Sequence, residues 1–185
     1  MQVKGNILLA RRTFVVKKFG EAAWEQVLKA LPAQDAETLR DRLSPVSWFP
    51  FELSQRLDAM VVKVLGKGSP AVFEAMGASS ARENLATVHR ELLAPGDPQA
   101  FMKRAPMVYK FYYDKGYRTW EPTGASSGVL TTFGAETFSA VDCLTVVGWY
   151  REALMLCGAK TVTIREPECR AKGAPHCRYE FSWTV

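Results

Sequence analysis

From Ser139 to Cys157 apolar residues fall on every side of a helical segment: Val141, Leu144, Val146, Val147, Trp149, Tyr150, Leu154, Met155 and Leu156. A helix that is apolar all round has no face to give to water, so it sits at the centre of a fold. Whatever this chain folds into must wrap other elements around that segment. Ser139, with Asp142 three residues on, opens it as a capping box with Asp in place of Glu, and Gly158 ends it.

Two alternating segments follow, 161–166 and 178–183, which read as strands. Between them lie Cys169 and Cys177 around a Gly173–Pro175 turn, with Glu166 three residues before the first thiol. Thiolates and a carboxylate are ligands that zinc accepts, and a hairpin can bring them within roughly 4 Å of one another. Free structural thiols and a redox pair are the other readings of the same cysteines. Cys157 lies about 21 Å along the helix from Cys143 at ~1.5 Å per residue, so it belongs to the core and not to the same cluster.

The first two-thirds of the chain has helical spacing. Helices are expected over 7–18, 23–31, 35–43 and 51–65, with 45–50 as a proline-bounded aromatic connector. Another begins at Ser69-Pro70 and could run to Leu93. The next starts at Asp97-Pro98, with Phe101, Met102, Ala105 and Tyr109 on its apolar side and Pro106 predicting a kink or late start. Composition then changes: 117–121 and 129–133 read as strands joined by the loop 122–128. The expected fold class is α+β, with an N-terminal helical layer packed on a small antiparallel sheet, a buried C-terminal helix and a terminal hairpin. Residues 1–185 read as one domain, large enough to bury a substantial core.

Lys and Arg number 24 against 19 Asp and Glu, a net charge of +5. The cations are scattered, and no helix-turn-helix, finger or RNP-like pattern accompanies them, so no specific nucleic-acid partner is expected. No apolar run reaches the roughly 20 residues that span a bilayer, and the N-terminus has no long signal core. A cytoplasmic location is expected.

The closing pattern, a buried helix, a strand, Glu-x-x-Cys, Gly-x-x-x-Cys and a strand, resembles the four-vinyl-reductase domain. That domain belongs with haem nitric-oxide-binding domains and TRAPP tethering subunits in one superfamily. The whole chain, through Trp48-Phe49-Pro50-Phe51-Glu52-Leu53 and the segment 142–149, resembles a myxobacterial family of about this length, from which no activity carries over. In one superfamily branch, the sensory domain of phenol-responsive activators, three cysteines and a glutamate hold a structural zinc. The resemblance places that set on Cys143, Glu166, Cys169 and Cys177. The N-terminal helices depart from that branch, and no AAA+ or DNA-binding domain follows.

Haem is not expected. Only His89 and His176 offer imidazole, His89 reads as a surface or capping residue, and the Tyr-x-Ser-x-Arg signature of the haem-binding relatives is absent. Nor is an enzyme expected. Gly124-Ala125-Ser126-Ser127-Gly128 spells G-x-S-x-G, but a nucleophile elbow needs a helix directly after it, and a strand is expected there. Two function classes remain. The first is a sensory domain that binds an apolar or aromatic small molecule and signals to a separate protein, with Phe111, Tyr112, Trp120, Phe133 and Trp149 as candidate lining. The second is a TRAPP-like interaction module that forms homodimers.

Overall fold

The computed structural model describes residues 1–104, 106–136 and 139–185. Ala105, expected on an apolar helix face, lies outside them. Chain contacts divide the molecule into two compact units, Met1–Val72 with Tyr112–Asp114, and Phe73–Phe111 with Lys115–Val185.

The first unit is helical around a two-stranded ribbon. Strand β1 (Gln2–Lys4) leads into α1 (Gly5–Phe19), α2 (Glu21–Lys29) and α3 (Ala33–Asp41). Strand β2 (Trp48–Pro50) then enters α4 (Phe51–Val64) and pairs antiparallel with β1, Val3 opposite Phe49. The ribbon falls where only a connector was expected. The small size of Gly5 permits the crossing, since a Cβ there would lie 2.0 Å from the Ser44 carbonyl oxygen. Leu8, Val15, Val27, Leu28, Leu39, Leu57 and Val61 form the buried core. Within it Arg11 Nε donates to Asp58 Oδ1 at 3.2 Å and Nη2 to Oδ2 at 3.4 Å. Tyr113 bridges to Val3, and the Gln2 amide donates to Asp114 Oδ1 at 2.7 Å.

The second unit holds the long helix and the main sheet. Helix α5 (Val72–Ala86) stops short of the Leu93 end expected for it, and a 3-10 turn follows at Arg90–Leu92. The segment starting at Pro98 is two helices, α6 (Pro98–Arg104) and α7 (Pro106–Tyr112). Pro106 heads α7, where its missing N–H costs nothing. Strands β3 (Tyr117–Gly124) and β4 (Ser127–Phe133) form a hairpin longer than expected, taking in most of the presumed loop. Helix α8 (Ala140–Leu156) follows, capped as expected: the Asp142 amide donates to Ser139 Oγ at 3.1 Å. Strands β5 (Thr161–Glu168) and β6 (Cys177–Thr184) complete an antiparallel sheet of order β3-β4-β6-β5.

Helix α8 is buried as its composition requires. Trp149, Tyr150, Ala153 and Leu154 are all buried, and α5 crosses it with almost no side-chain spacer. A Cβ on Gly148 would lie 1.9 Å from the Glu74 carbonyl oxygen, and one on Gly77 would lie 2.1 Å from that of Thr145. Among the described residues no helix is long and apolar enough to cross a membrane. The α+β class is as expected.

Candidate metal centre

Strand alternation on β6 buries Cys177, Tyr179, Phe181 and Trp183 on one face. On β5 it half-buries Val162, Ile164, Glu166 and Glu168 while the residues between them face solvent. The β5–β6 register slips between Arg165 and Glu168, a bulge that re-aims the strand at Glu166. Beyond it Cys169 precedes a short 3-10 turn (Arg170–Lys172). Gly173 closes that turn at φ 94°, a left-handed conformation glycine adopts without strain, and the Ala174 amide returns to the Cys169 carbonyl. Cys143, in the first turn of α8, meets this hairpin from the helix side.

The result is a compact donor set. Cys143 Sγ lies 3.7 Å from Cys169 Sγ and 3.7 Å from Cys177 Sγ. One ligand atom from each of Cys143, Glu166, Cys169 and Cys177 falls within 4.8 Å of every other. All three thiols are buried. A zinc tetrahedron with ~2.3 Å metal–sulfur bonds has sulfur–sulfur edges of about 3.8 Å, so the thiol spacing already matches it.

Two further details belong to a metal site more than to a core of idle thiols. Glu166 Oε1 is buried and has no hydrogen-bond partner among the described residues. A buried carboxylate oxygen without a partner is costly, and a cation is one group that relieves it. The Arg170 amide donates to Cys177 Sγ at 3.3 Å, a bond that steadies negative charge on sulfur. The Cys143 thiol acts the same way and draws Cys177 down to about 7, while donation to Cys177 and burial push Cys143 up. Burial and the nearby Glu166 charge raise Cys169. Cys157 stands apart as a buried thiol at the far end of α8, as expected.

The candidate ligand-lining aromatics do not share one place. Trp149 and Trp120 belong to a continuous aromatic stack in the second unit. Trp149 packs on Phe101 and Tyr150, Tyr150 on Phe181, and Phe181 on Trp120, which also stacks on Trp183. Tyr112 is buried and groups with the first unit. Phe133 stacks on Tyr117, and Phe111 is exposed on α7. Phe111 lines a groove of ≈ 460 Å³ together with Pro106, Met107, Lys110, Tyr117 and Arg118. Sequence reading took Lys110 and Arg118 only as scattered cations.

Gly124 to Gly128 spans a β-hairpin turn, and the Ser126 carbonyl accepts from the Trp183 amide. The geometry is strand–turn–strand, not the strand–helix of a nucleophile elbow. His89, read as a surface or capping residue, is buried and stacked on Phe111 with ring centroids 5.1 Å apart. Its burial lowers its pKa, favouring neutral imidazole, the form that binds iron. His176 instead pairs with Glu168, Nε2 to Oε2 at 2.9 Å.

Neither a family model nor a curated protein matches the chain. Solved structures do. It is similar over 98% of its length to 99% of an H-NOX protein from S. oneidensis in the Fe(II)NO ligation state, with a TM-score of 0.71 and 17% identity. It is similar, again over 98%, to 95% of an oxygen-binding H-NOX domain related to soluble guanylate cyclases, with a TM-score of 0.74 and 11% identity. A third, in which haem redox potential is modulated through porphyrin distortion, matches at 0.71 and 11%, covering 98% of this chain and 99% of that one. The chain has the fold of these domains, within the expected haem-NO-binding-like superfamily. These neighbours correct the expectation set aside for haem: the fold is one that haem proteins use, and His89 offers a buried neutral nitrogen of the required kind.

Proposed function

We propose that the chain is a sensory domain that binds a small molecule and reports to a separate protein, without a catalytic step of its own. The observation that carries this reading is the match along 98% of the chain to domains of which one binds oxygen and another carries NO on Fe(II). A fold hosts many functions, so the likeness supports the reading by analogy. Haem is the first ligand to test, with His89 as the residue that would hold its iron; bound there, it would supply a gas-binding centre. The broader ligand class is an apolar or aromatic small molecule, and the four-vinyl-reductase relationship is the narrower reading of the family. Among the candidate lining residues, Phe111 has the most support, because it joins His89 to an open groove.

The same proposal includes a structural zinc on Cys143, Glu166, Cys169 and Cys177. Four protein ligands leave no position open for a substrate, so this ion would hold structure and do no chemistry. Haemin added to the purified chain should give a saturable Soret band at about one haem per chain, and His89→Ala should weaken it about tenfold or more. No Soret band, together with no saturable hit in a thermal-shift screen of phenols, fatty acids and prenyl compounds, would remove the sensory reading.

A further inference from the structure

The groove on the second unit is built from two short pieces of chain. Helix α7 presents Pro106, Met107, Lys110 and Phe111, and the start of β3 presents Tyr117 and Arg118. Met107, Phe111 and Tyr117 are 57%, 46% and 50% exposed, which puts three large apolar side chains in water side by side. Each aromatic wall is braced from behind. His89 stacks on Phe111 with planes 22° apart, and Phe133 stacks on Tyr117 at 5.3 Å and 27°. Rings held in this way lose little freedom when a planar ligand lies on them.

The charge of the groove has one sign. Of its six lining residues two are cations and none is acidic. Among the described residues no carboxylate pairs with Lys110, which is exposed beside Phe111. Arg118 is fixed by neutral groups: its Nε donates to Thr132 Oγ1 at 2.9 Å and its Nη1 to Tyr150 Oη at 3.4 Å. Its guanidinium also lies 4.9 Å from the Tyr109 ring centroid. With Nε and Nη1 already donating, Arg118 presents only part of its fork. That suits a two-oxygen anion better than a doubly charged phosphate.

We infer that this groove is a binding site for a small planar aromatic carboxylate. The ring lies against Phe111 and Tyr117, and the carboxylate accepts from Lys110 and Arg118. The ≈ 460 Å³ volume is in the range of small-molecule sites and exceeds what a single ring needs. The site goes beyond the haem reading, because no iron ligand takes part in it. Its ligand touches Phe111, whose other face is His89, so occupancy of the groove is one ring away from the buried imidazole.

Isothermal titration with 2-naphthoate, against neutral 2-naphthamide of the same shape, tests the inference. The carboxylate should bind one to one and about tenfold more tightly than the amide. Lys110→Gln should bring the two within about threefold, and Phe111→Ala should weaken both about tenfold. Both side chains are exposed, so both variants should fold, and circular dichroism checks it. Equal affinity for acid and amide, or no saturation below about 5 mM, would overturn the site. So would a concentration-dependent dimer abolished by Phe111→Ala, which would make the groove a contact between copies. A Soret band on haemin addition with no naphthoate binding would sink this site and leave the sensory reading standing.

Discussion

Cys143 and Cys177 bring their sulfurs to 3.7 Å across 34 positions of sequence, one from the first turn of α8 and the other from the start of β6. With Cys169 and Glu166 they converge where the long helix meets the terminal hairpin. A metal at this point fastens elements that are distant in sequence, and its binding energy becomes folding energy. Metal-replete protein should contain one zinc per chain by elemental analysis. Cys177→Ser should lose the metal and about 3 kcal/mol of stability, a fall of roughly 6–12 °C in Tm for a chain of this size. Cys157→Ser should keep the zinc. Well below one zinc per chain in the unaltered protein would leave these residues as buried thiols.

The crossing of α5 and α8 sets a second expectation. Gly148 brings the α8 backbone against the Glu74 carbonyl, and Gly77 brings α5 against that of Thr145, so neither position has room for a methyl group. The obstructing atoms are backbone, which cannot rotate aside. Gly148→Ala should therefore cost about 3 kcal/mol or more, at the upper end of overpacking effects, despite the better helix propensity of alanine. Urea denaturation measures this. A stabilised Gly148→Ala would show that the helices part without penalty.

What the sequence disclosed follows from which signals are local. Helix α8 was legible because its apolarity is continuous and its Ser139 cap stands next to it, and β6 because its alternation is unbroken. The β1–β2 ribbon was hidden: three-residue strands carry no period, and their pairing joins Gln2 to Pro50. Helix α5 was overextended because apolar residues recur through Leu93 with no glycine or proline to mark its end. Pro122 and Gly128 read as loop but pair across the β3–β4 hairpin. The edge position of β3 tolerates the proline, and Gly128 leaves room for the Trp120 ring, which a Cβ would meet at 2.3 Å. At the site, Glu166, Cys169 and Cys177 were legible by spacing, whereas Cys143 came through family resemblance. The groove was not legible. Its cations looked like ordinary surface charge, and the stacking of His89 on Phe111 is a long-range contact that no short pattern announces.

The buried Arg11–Asp58 pair in the first unit should be sensitive to loss of one member. Side chains on both sides are almost fully buried, at 4% and 3% exposure, and two hydrogen bonds join them. Removing the carboxylate leaves a guanidinium out of water without its counter-charge. Asp58→Ala should destabilise the protein by about 3–5 kcal/mol. The double change Arg11→Met with Asp58→Leu should recover most of that loss, because an apolar pair of similar volume needs no compensation. Chemical denaturation of the three proteins reads the difference, and a harmless Asp58→Ala would show that water reaches the pair.

Trp120 separates a core role from a ligand role. It stands edge-on to Phe181 at 5.6 Å and stacks on Trp183 at 6.3 Å, and its Nε1 donates to Gln99 Oε1 at 3.0 Å. Those contacts join β3 to β6 across the intervening β4, and the hydrogen bond ties the strand to α6. Truncation should open a cavity in that stack and leave Gln99 with one bond fewer. Trp120→Ala is therefore expected to lose about 2–4 kcal/mol of stability. Naphthoate affinity at 10 °C, where the variant remains folded, should change less than threefold, since Trp120 does not line the groove. A large loss of ligand affinity with unchanged urea midpoint would place the ligand against Trp120, and the aromatic stack would then be the binding site.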